Sequence, residues 1–303
     1  MLKRIWLYLQ EMFPPIHILP TLLMPFSFFA MVAQLNHFEL PLSSLLWRSS
    51  FSVVLFMLML RVMDEFKDYQ DDLTNYPGRP LPSGRVLHQD LKVLLTVIIA
   101  VLMALNLDPL PVSFAAALVF AYSVLMFKWF FIEEKMRKSL PLALISHNPI
   151  VYIYLFYIFV VYTQMDPGYQ WTSIVAIVPM AAPMTQWEIA RKIRLPQNET
   201  VYTTYSKVWG FRRSLQVCLV IQAVILIGMN LVMAKVSAPL WLHGVFTLAF
   251  LSISAVFVRF MGVQEDPENR WHKVIPVRRY AEWQGLLVQV TAVAAYLLRY
   301  FNN

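Results

Sequence analysis

The chain of 303 residues contains one cysteine, eight glycines and only 14% charged residues. A lone Cys218 cannot close a disulfide within the chain. It stands in an apolar segment without electropositive neighbours, so it reads as a packing residue and not as a catalytic thiol. Glycine-rich phosphate loops are missing, and so are Cys/His pairs at metal-ligand spacing; the six histidines are scattered. No period of about 20 to 50 residues and no low-complexity stretch occurs, which excludes a solenoid or a disordered array.

What the chain has instead is apolar surface. Hydrophobic residues make up 58% and the mean hydropathy is +0.55, far from soluble-domain composition. They fall in nine blocks, near residues 17–35, 43–63, 91–107, 110–130, 140–163, 171–190, 213–234, 238–260 and 280–301. Blocks of about 17 to 25 apolar residues cross a bilayer as helices. Barrel strands would be short and alternating, whereas these runs are continuous and satisfy their own backbone hydrogen bonds as helices. The expected fold is therefore all-α: a polytopic nine-transmembrane-helix bundle with cytoplasmic cap loops, forming a single domain over residues 1–303.

Charge orients that bundle. Of 25 basic residues, 22 lie at the N-terminus, in the loops after blocks two, four, six and eight, or at the adjoining helix ends. Arg48, Lys235 and Arg299 are the exceptions. Basic loops stay cytoplasmic, so the N-terminus is expected inside and the C-terminus, after nine crossings, outside. The formal charge of +7 is then a topology signal, with anionic lipid headgroups as neighbours and nucleic acid excluded as a partner. An inner or plasma membrane of bacterial type is the expected location, with no obligate protein partner evident. Residues 1–12 form an amphipathic cytoplasmic lead-in, and the block that follows is too long for a cleaved signal sequence, so no maturation step is expected.

Two cytoplasmic loops, roughly 64–90 and 188–212, are longer and more polar than connectors require. The first opens with "DEFKDYQDD", which puts Asp64, Glu65, Asp68, Asp71 and Asp72 within nine residues. On a continued helix these acids occupy an arc of about 120°, shared with Arg61 one turn earlier. Like charges so spaced destabilise a bare helix, so a positive group is expected against them. A solvated helix end balanced by Lys and Arg would satisfy that. Magnesium fits better, because it binds through one or two carboxylates and completes its shell with water and phosphate oxygens. Downstream, "PGRPLPSGR" offers Arg79 and Arg85 on a Pro- and Gly-stiffened turn, positioned to grip the same phosphates.

These residues resemble the UbiA-type intramembrane prenyltransferases, nine-helix bundles with cytoplasmic caps. Their first motif reads N-D-x-x-D-x-x-x-D; here Asp64 stands at the Asn position and Glu65, Asp68 and Asp72 at the three Asp positions. An R-P-L turn follows at Arg79, about two residues early. Lys128 in "YSVLMFKW" matches the basic residue after the family's fourth helix, and "YTTYSKVWG" the segment before the seventh. The chain departs from the family at its second acidic motif, often D-x-x-x-D. It reads "QWEIARKIRLPQNET" there, with Glu188 and the distant Glu199 as acids and Arg191, Lys192 and Arg194 where carboxylates are expected. Glu188 and Lys192 at i,i+4 also make an ordinary helix pair.

The resemblance implies Mg2+-dependent transfer of a prenyl group from a prenyl diphosphate to an acceptor in the membrane, aromatic or otherwise. It assigns metal binding to Asp64, Glu65, Asp68, Asp72 and Glu188, and catalysis to Asp68, Asp72 and Lys128. Diphosphate contacts go to Arg79 and Lys128; where the chain departs from the family, Arg191 or Lys192 is expected to bind the diphosphate directly in place of a second magnesium. Asn148 in "SHNP", a polar interruption of block five, is a further candidate substrate contact or a cross-helix hydrogen bond. Tyr122, Trp129, Tyr152, Tyr154 and Tyr157 are candidates to stabilise an allylic cation, although packing is their commoner role. Pro179 and Pro183 are expected to kink block six and open space beneath Glu188. A membrane terpene cyclase on the same scaffold is the alternative. A transporter is less favoured, because the acids lie at the membrane surface and not at the midplane.

Overall fold

The computed structural model describes residues 1–199, 203–262 and 277–302, and the regular structure among them is entirely helical. In chain order the helices are α1 (Leu2–Met12), α2 (Pro15–Leu35), α3 (Ser44–Lys67), α4 (Tyr69–Asn75), α5 (His88–Leu105), α6 (Leu110–Phe127) and α7 (Glu133–Lys138). There follow α8 (Leu140–His147), α9 (Pro149–Thr163), α10 (Ile177–Ala190), α11 (Tyr205–Trp209), α12 (Phe211–Lys235), α13 (Leu240–Met261) and α14 (Val277–Asn302). The basic loop after block eight and the chain end at Asn303 lie outside the described residues.

Seven helical stretches among the described residues are long and apolar enough to cross a membrane: Ile18–Leu35, Ser44–Lys67, His88–Leu105, Leu110–Phe127, Leu140–Thr163, Phe211–Lys235 and Leu240–Met261. They coincide with seven of the nine apolar blocks. The remaining two blocks are helical but different in kind. Block six begins as a 3-10 turn, Trp171–Ala176, and only then becomes α10. Its 14 residues span about 21 Å at about 1.5 Å per residue, less than a hydrocarbon core. Block nine is α14, whose 26 residues carry Arg278, Arg279, Glu282, Gln284, Gln289 and Arg299.

The chain divides into two compact units. The first comprises Met1–Phe26, Pro41–Glu133 and Phe156–Pro167. Here α3 packs on α5 and α6. Ser43 caps α3 by accepting the Leu46 N–H at 3.3 Å. A buried polar side chain needs partners, and Asn106, buried at the end of α5, has them: it donates to Ser52 Oγ (2.9 Å) and the Leu102 carbonyl (2.8 Å) and accepts from Tyr157 OH (2.6 Å). Helix α1 is fastened at its polar face. Arg4 reaches the buried Asp90 carboxylate through Nε (2.6 Å) and Nη2 (2.9 Å), and Asp90 also accepts the Leu87 N–H that opens α5 (3.0 Å). Leu2 and Trp6 of the same helix remain exposed, as an interfacial lead-in requires.

The second unit comprises Ser27–Leu40, Glu134–Leu155 and Gly168–Asn303. Its centre is α10, which packs on α12 and α14, with α13 against both of these. The two prolines that suggested an opened cavity are themselves buried in this packing. Pro179 lies against Gly228 of α12 so closely that a Cβ there would stand 2.9 Å from the proline Cβ. Pro183 meets Gly285 of α14, where the same distance would be 3.5 Å. A missing side chain on each partner helix thus accommodates a proline ring. Deeper polar contacts join the helices: Gln186 Nε2 donates to Gln284 Oε1 at 2.6 Å, and Gln284 Nε2 to Ser254 Oγ at 3.1 Å. Cys218 is fully buried among Ile189, Leu215 and Phe257, in the packing role expected of it.

Candidate functional site

In the first unit the acidic motif sits where α3 ends. Asp68 adopts φ −100° and ψ 7°, so α3 stops at Lys67 and α4 starts afresh at Tyr69. This bend breaks the single helical face expected for five acids. Glu65 and Asp72 are buried, Asp64 and Asp68 half-buried, and Asp71 exposed. Arg61 Nη2 ion-pairs with Glu65 Oε1 one turn away, while Glu65 Oε2 is buried without a hydrogen-bond partner. Arg79 Nη1 stands 2.6 Å from Asp72 Oδ2, with its guanidinium 4.1 Å above the Tyr76 ring.

The turn carrying Arg79 is held by its own backbone. Ser83 N–H donates to the Arg79 carbonyl and Val86 N–H to that of Pro80, both at 3.0 Å, and Gly84 supplies the left-handed φ of 73°. Arg85, grouped with Arg79 in the sequence reading, points elsewhere. Its guanidinium engages both Glu11 carboxylate oxygens and the Gly78 carbonyl (2.7 Å), which straps α1 to the turn and holds Glu11 below the usual carboxylate range.

Lys128 ends α6, its ammonium 5.3 Å from the Phe127 ring. Directly after it, Trp129, Phe130 and Phe131 take φ of 50°, 51° and 60°. A left-handed run costs roughly 1–2 kcal/mol per residue outside glycine. The contact that accompanies it was missed in the sequence: Lys67 Nζ lies 3.8 Å from the Trp129 ring centroid and brings the end of α3 to the turn after Lys128. A lysine inside an acidic motif was the available signal. Of the aromatic candidates in this unit, Tyr157 is committed to Asn106, and Tyr122 packs edge-on to Phe130 at 5.5 Å.

The residues of the second motif lie in the second unit. Glu188 is gripped by Arg191 through Nε (2.6 Å) and Nη2 (2.8 Å) and by Lys192 Nζ (3.1 Å), so both cations converge on one carboxylate. The segment beyond is tied down by contacts that the sequence did not reveal. Glu199 accepts from Thr204 Oγ1 (2.8 Å) and Ser206 Oγ (2.6 Å), Ser206 Oγ accepts the Arg194 N–H (2.8 Å), and Tyr205 N–H donates to the Lys192 carbonyl (3.0 Å). Glu199, read only as a remote acid, is thus the anchor of the loop that carries Lys192. Asn148 lies at the junction of α8 and α9 and accepts from Thr185 Oγ1, which is 3.3 Å from Tyr152 OH.

Comparison with solved structures identifies the architecture. A digeranylgeranylglyceryl phosphate synthase of membranes aligns with a TM-score of 0.64 at 14% identity, over 97% of this chain and 99% of that one. The apo structure of a UbiA homologue from Aeropyrum pernix K1 aligns with a TM-score of 0.64 at 13% identity, over 91% and 97%. The fold is UbiA-like. No protein-family model and no curated protein matches the sequence. On the UbiA-like scaffold, then, the shared architecture is carried by helix pattern and packing while most side chains differ.

The acids of the first unit suit a hard cation. Glu65 offers a buried oxygen without a partner, and burial pushes the Asp68 carboxyl up to about 6, with Asp64 adding to the rise. A dication relieves both. Among the described residues no three His, Cys, Asp or Glu side chains form a preformed cage, but magnesium needs only one or two carboxylates beside water and phosphate. A pH dependence follows. Asp68 has its folded value raised above the ordinary value of about 3.8, so the folded state binds more protons between about pH 4 and 6. Stability in EDTA is therefore expected to fall as pH rises through that window and to level off above it. Asp68→Asn should reduce the slope in thermal-unfolding curves; a slope unchanged in that variant would assign it to other groups.

Proposed function

We propose that the protein transfers a prenyl group from a prenyl diphosphate to an acceptor within the membrane, assisted by Mg2+. The observation that carries this reading is the cluster at the end of α3: a buried Glu65 with an unpartnered oxygen, a repelled Asp68, and Asp72 held by Arg79. The UbiA-like fold supports it, together with the resemblance of these residues to that family's first acidic motif.

Glu65, Asp68 and Asp72 would hold the metal, with Asp64 beside them. Bound magnesium supplies charge neutralisation to a leaving diphosphate. Arg79 and Lys128 add fixed positive charge from the same unit, and Arg191 and Lys192 are the second unit's candidates for diphosphate charge. Glu188 is proposed chiefly as the tether of those two cations, a role its three contacts with them support, and as a metal ligand only if they release it. Asn148 is oriented by Thr185 and is proposed to meet substrate through its amide. The C1–oxygen bond of the prenyl diphosphate breaks, pyrophosphate leaves with the bonding pair, and the acceptor bonds to C1 and loses a proton. Donors already in place need no reorganisation as charge moves to the leaving oxygen. We take the two units to act as one domain in this reaction.

Incubation of purified protein with a series of prenyl diphosphates tests the reading, with and without Mg2+ and candidate acceptors. Acceptor-dependent pyrophosphate release is expected. Release without acceptor, with a cyclic product, would establish the cyclase instead, and none across the series would remove the enzyme reading. The orientation proposed is a cytoplasmic N-terminus and cap loops. A reporter inserted near Asn75 should be cytoplasmic and one fused after Asn303 extracytoplasmic; finding both on one side would overturn the assignment.

A further inference from the structure

Arg61 lies outside the motif, yet it pairs directly with one of its acids. It stands one turn before Glu65 on α3, and its Nη2 pairs with Glu65 Oε1. The Glu65 side chain is 1% exposed and that of Arg61 27%. Tyr8 OH, on the buried face of α1, donates to the Arg61 carbonyl at 3.4 Å, which fixes the backbone while the guanidinium stays partly open to solvent. Arg79 repeats the arrangement on Asp72 at 2.6 Å, so two of the motif's carboxylates each carry a guanidinium.

A guanidinium satisfies only part of Glu65, whose Oε2 is left without a partner. A dication brings twice the charge and can use that oxygen. Once it does, Arg61 loses its anion at the end of a membrane helix, where an unpaired charge is costly. The anion that replaces it is the diphosphate, whose planar-fork recognition suits arginine better than any other side chain. We propose that Arg61 changes partner: it neutralises Glu65 before a cation binds and contacts the diphosphate afterwards. This rests on the prenyl-transfer reading above and adds a substrate-binding residue to it.

Calorimetric titration of the full-length protein in detergent tests the exchange, first with Mg2+ alone and then with inorganic pyrophosphate at saturating Mg2+. Arg61→Gln should bind Mg2+ several-fold more tightly, since the competing cation is gone, and pyrophosphate about 10-fold more weakly, the scale of a lost charge-assisted hydrogen bond. Arg61→Lys keeps the charge, and with it the fold, but not the fork; it should also weaken pyrophosphate binding, by a smaller factor. Pyrophosphate affinity within twofold of wild type in both variants would overturn the proposal while leaving the prenyl-transfer reading intact. A wild-type protein that binds no pyrophosphate with Mg2+ present would overturn both.

Discussion

Asp68→Asn is expected to lower turnover by about three orders of magnitude, the rate equivalent of roughly 4 kcal/mol of lost transition-state stabilisation, while the protein stays folded. The two effects separate because of where Asp68 sits. It lies at the bend between α3 and α4, half-buried, and its charge is opposed by burial and by Asp64. Removing that charge relieves the folded state, so thermal stability in EDTA should hold or rise. Asp72→Asn should lose turnover to a similar degree but also lose stability, because Arg79 is then left without the carboxylate it meets at 2.6 Å. The cost of stranding a partly buried charge is about 1–3 kcal/mol. Turnover assays paired with unfolding curves read both quantities. Wild-type turnover by Asp68→Asn would sink the magnesium assignment, and equal stability changes in the two variants would contradict the difference between Asp72, paired with Arg79, and Asp68, opposed by burial and Asp64.

The second large effect concerns the cations that stand where a second acidic motif is expected. Wild-type rate should rise with Mg2+ as a single saturating site, if Lys192 and Arg191 supply charge that a second metal would otherwise bring. Lys192→Asp exchanges a fixed positive charge for a carboxylate beside Glu188, whose contact with Lys192 Nζ is 3.1 Å. Uncompensated phosphate charge in a low-dielectric site costs several kcal/mol. Activity should therefore fall by about 100-fold or more, or recover only at high Mg2+ with a steeper, two-site dependence. Arg191→Ala removes a bidentate grip on Glu188 and should cost about tenfold. If both variants keep the wild-type rate and metal dependence, Glu188, Arg191 and Lys192 form an ordinary helix pair network and nothing more.

The candidate site was partly legible in sequence, and its errors share one cause. The i,i+4 spacing of Arg61 and Glu65 was readable as a shared helical arc, and their ion pair follows from it. Extending the same arc through Asp71 and Asp72 failed, because the wheel assumes an unbroken helix and Asp68 does not continue it. Arg85 was grouped with Arg79 by proximity along the chain, yet Glu11, 74 residues away, holds it. Lys67 over Trp129 and Glu199 beneath Thr204 and Ser206 escaped notice because neither pairing has a spacing rule.

Composition and periodicity by themselves determined that the chain is a multi-pass helical membrane protein, and they located the seven helical stretches among the described residues that are long and apolar enough to span, because burial in lipid demands long apolar runs whose backbone bonds close locally. The acidic motif and its turn were likewise readable, as local patterns of charge and of Pro and Gly. Only the tertiary structure decided which charges neutralise one another, which prolines fill glycine notches on α12 and α14, and that α10 is too short to span alone. Those outcomes depend on contacts between residues far apart in the chain, and helical periodicity specifies a face without specifying what will lie against it.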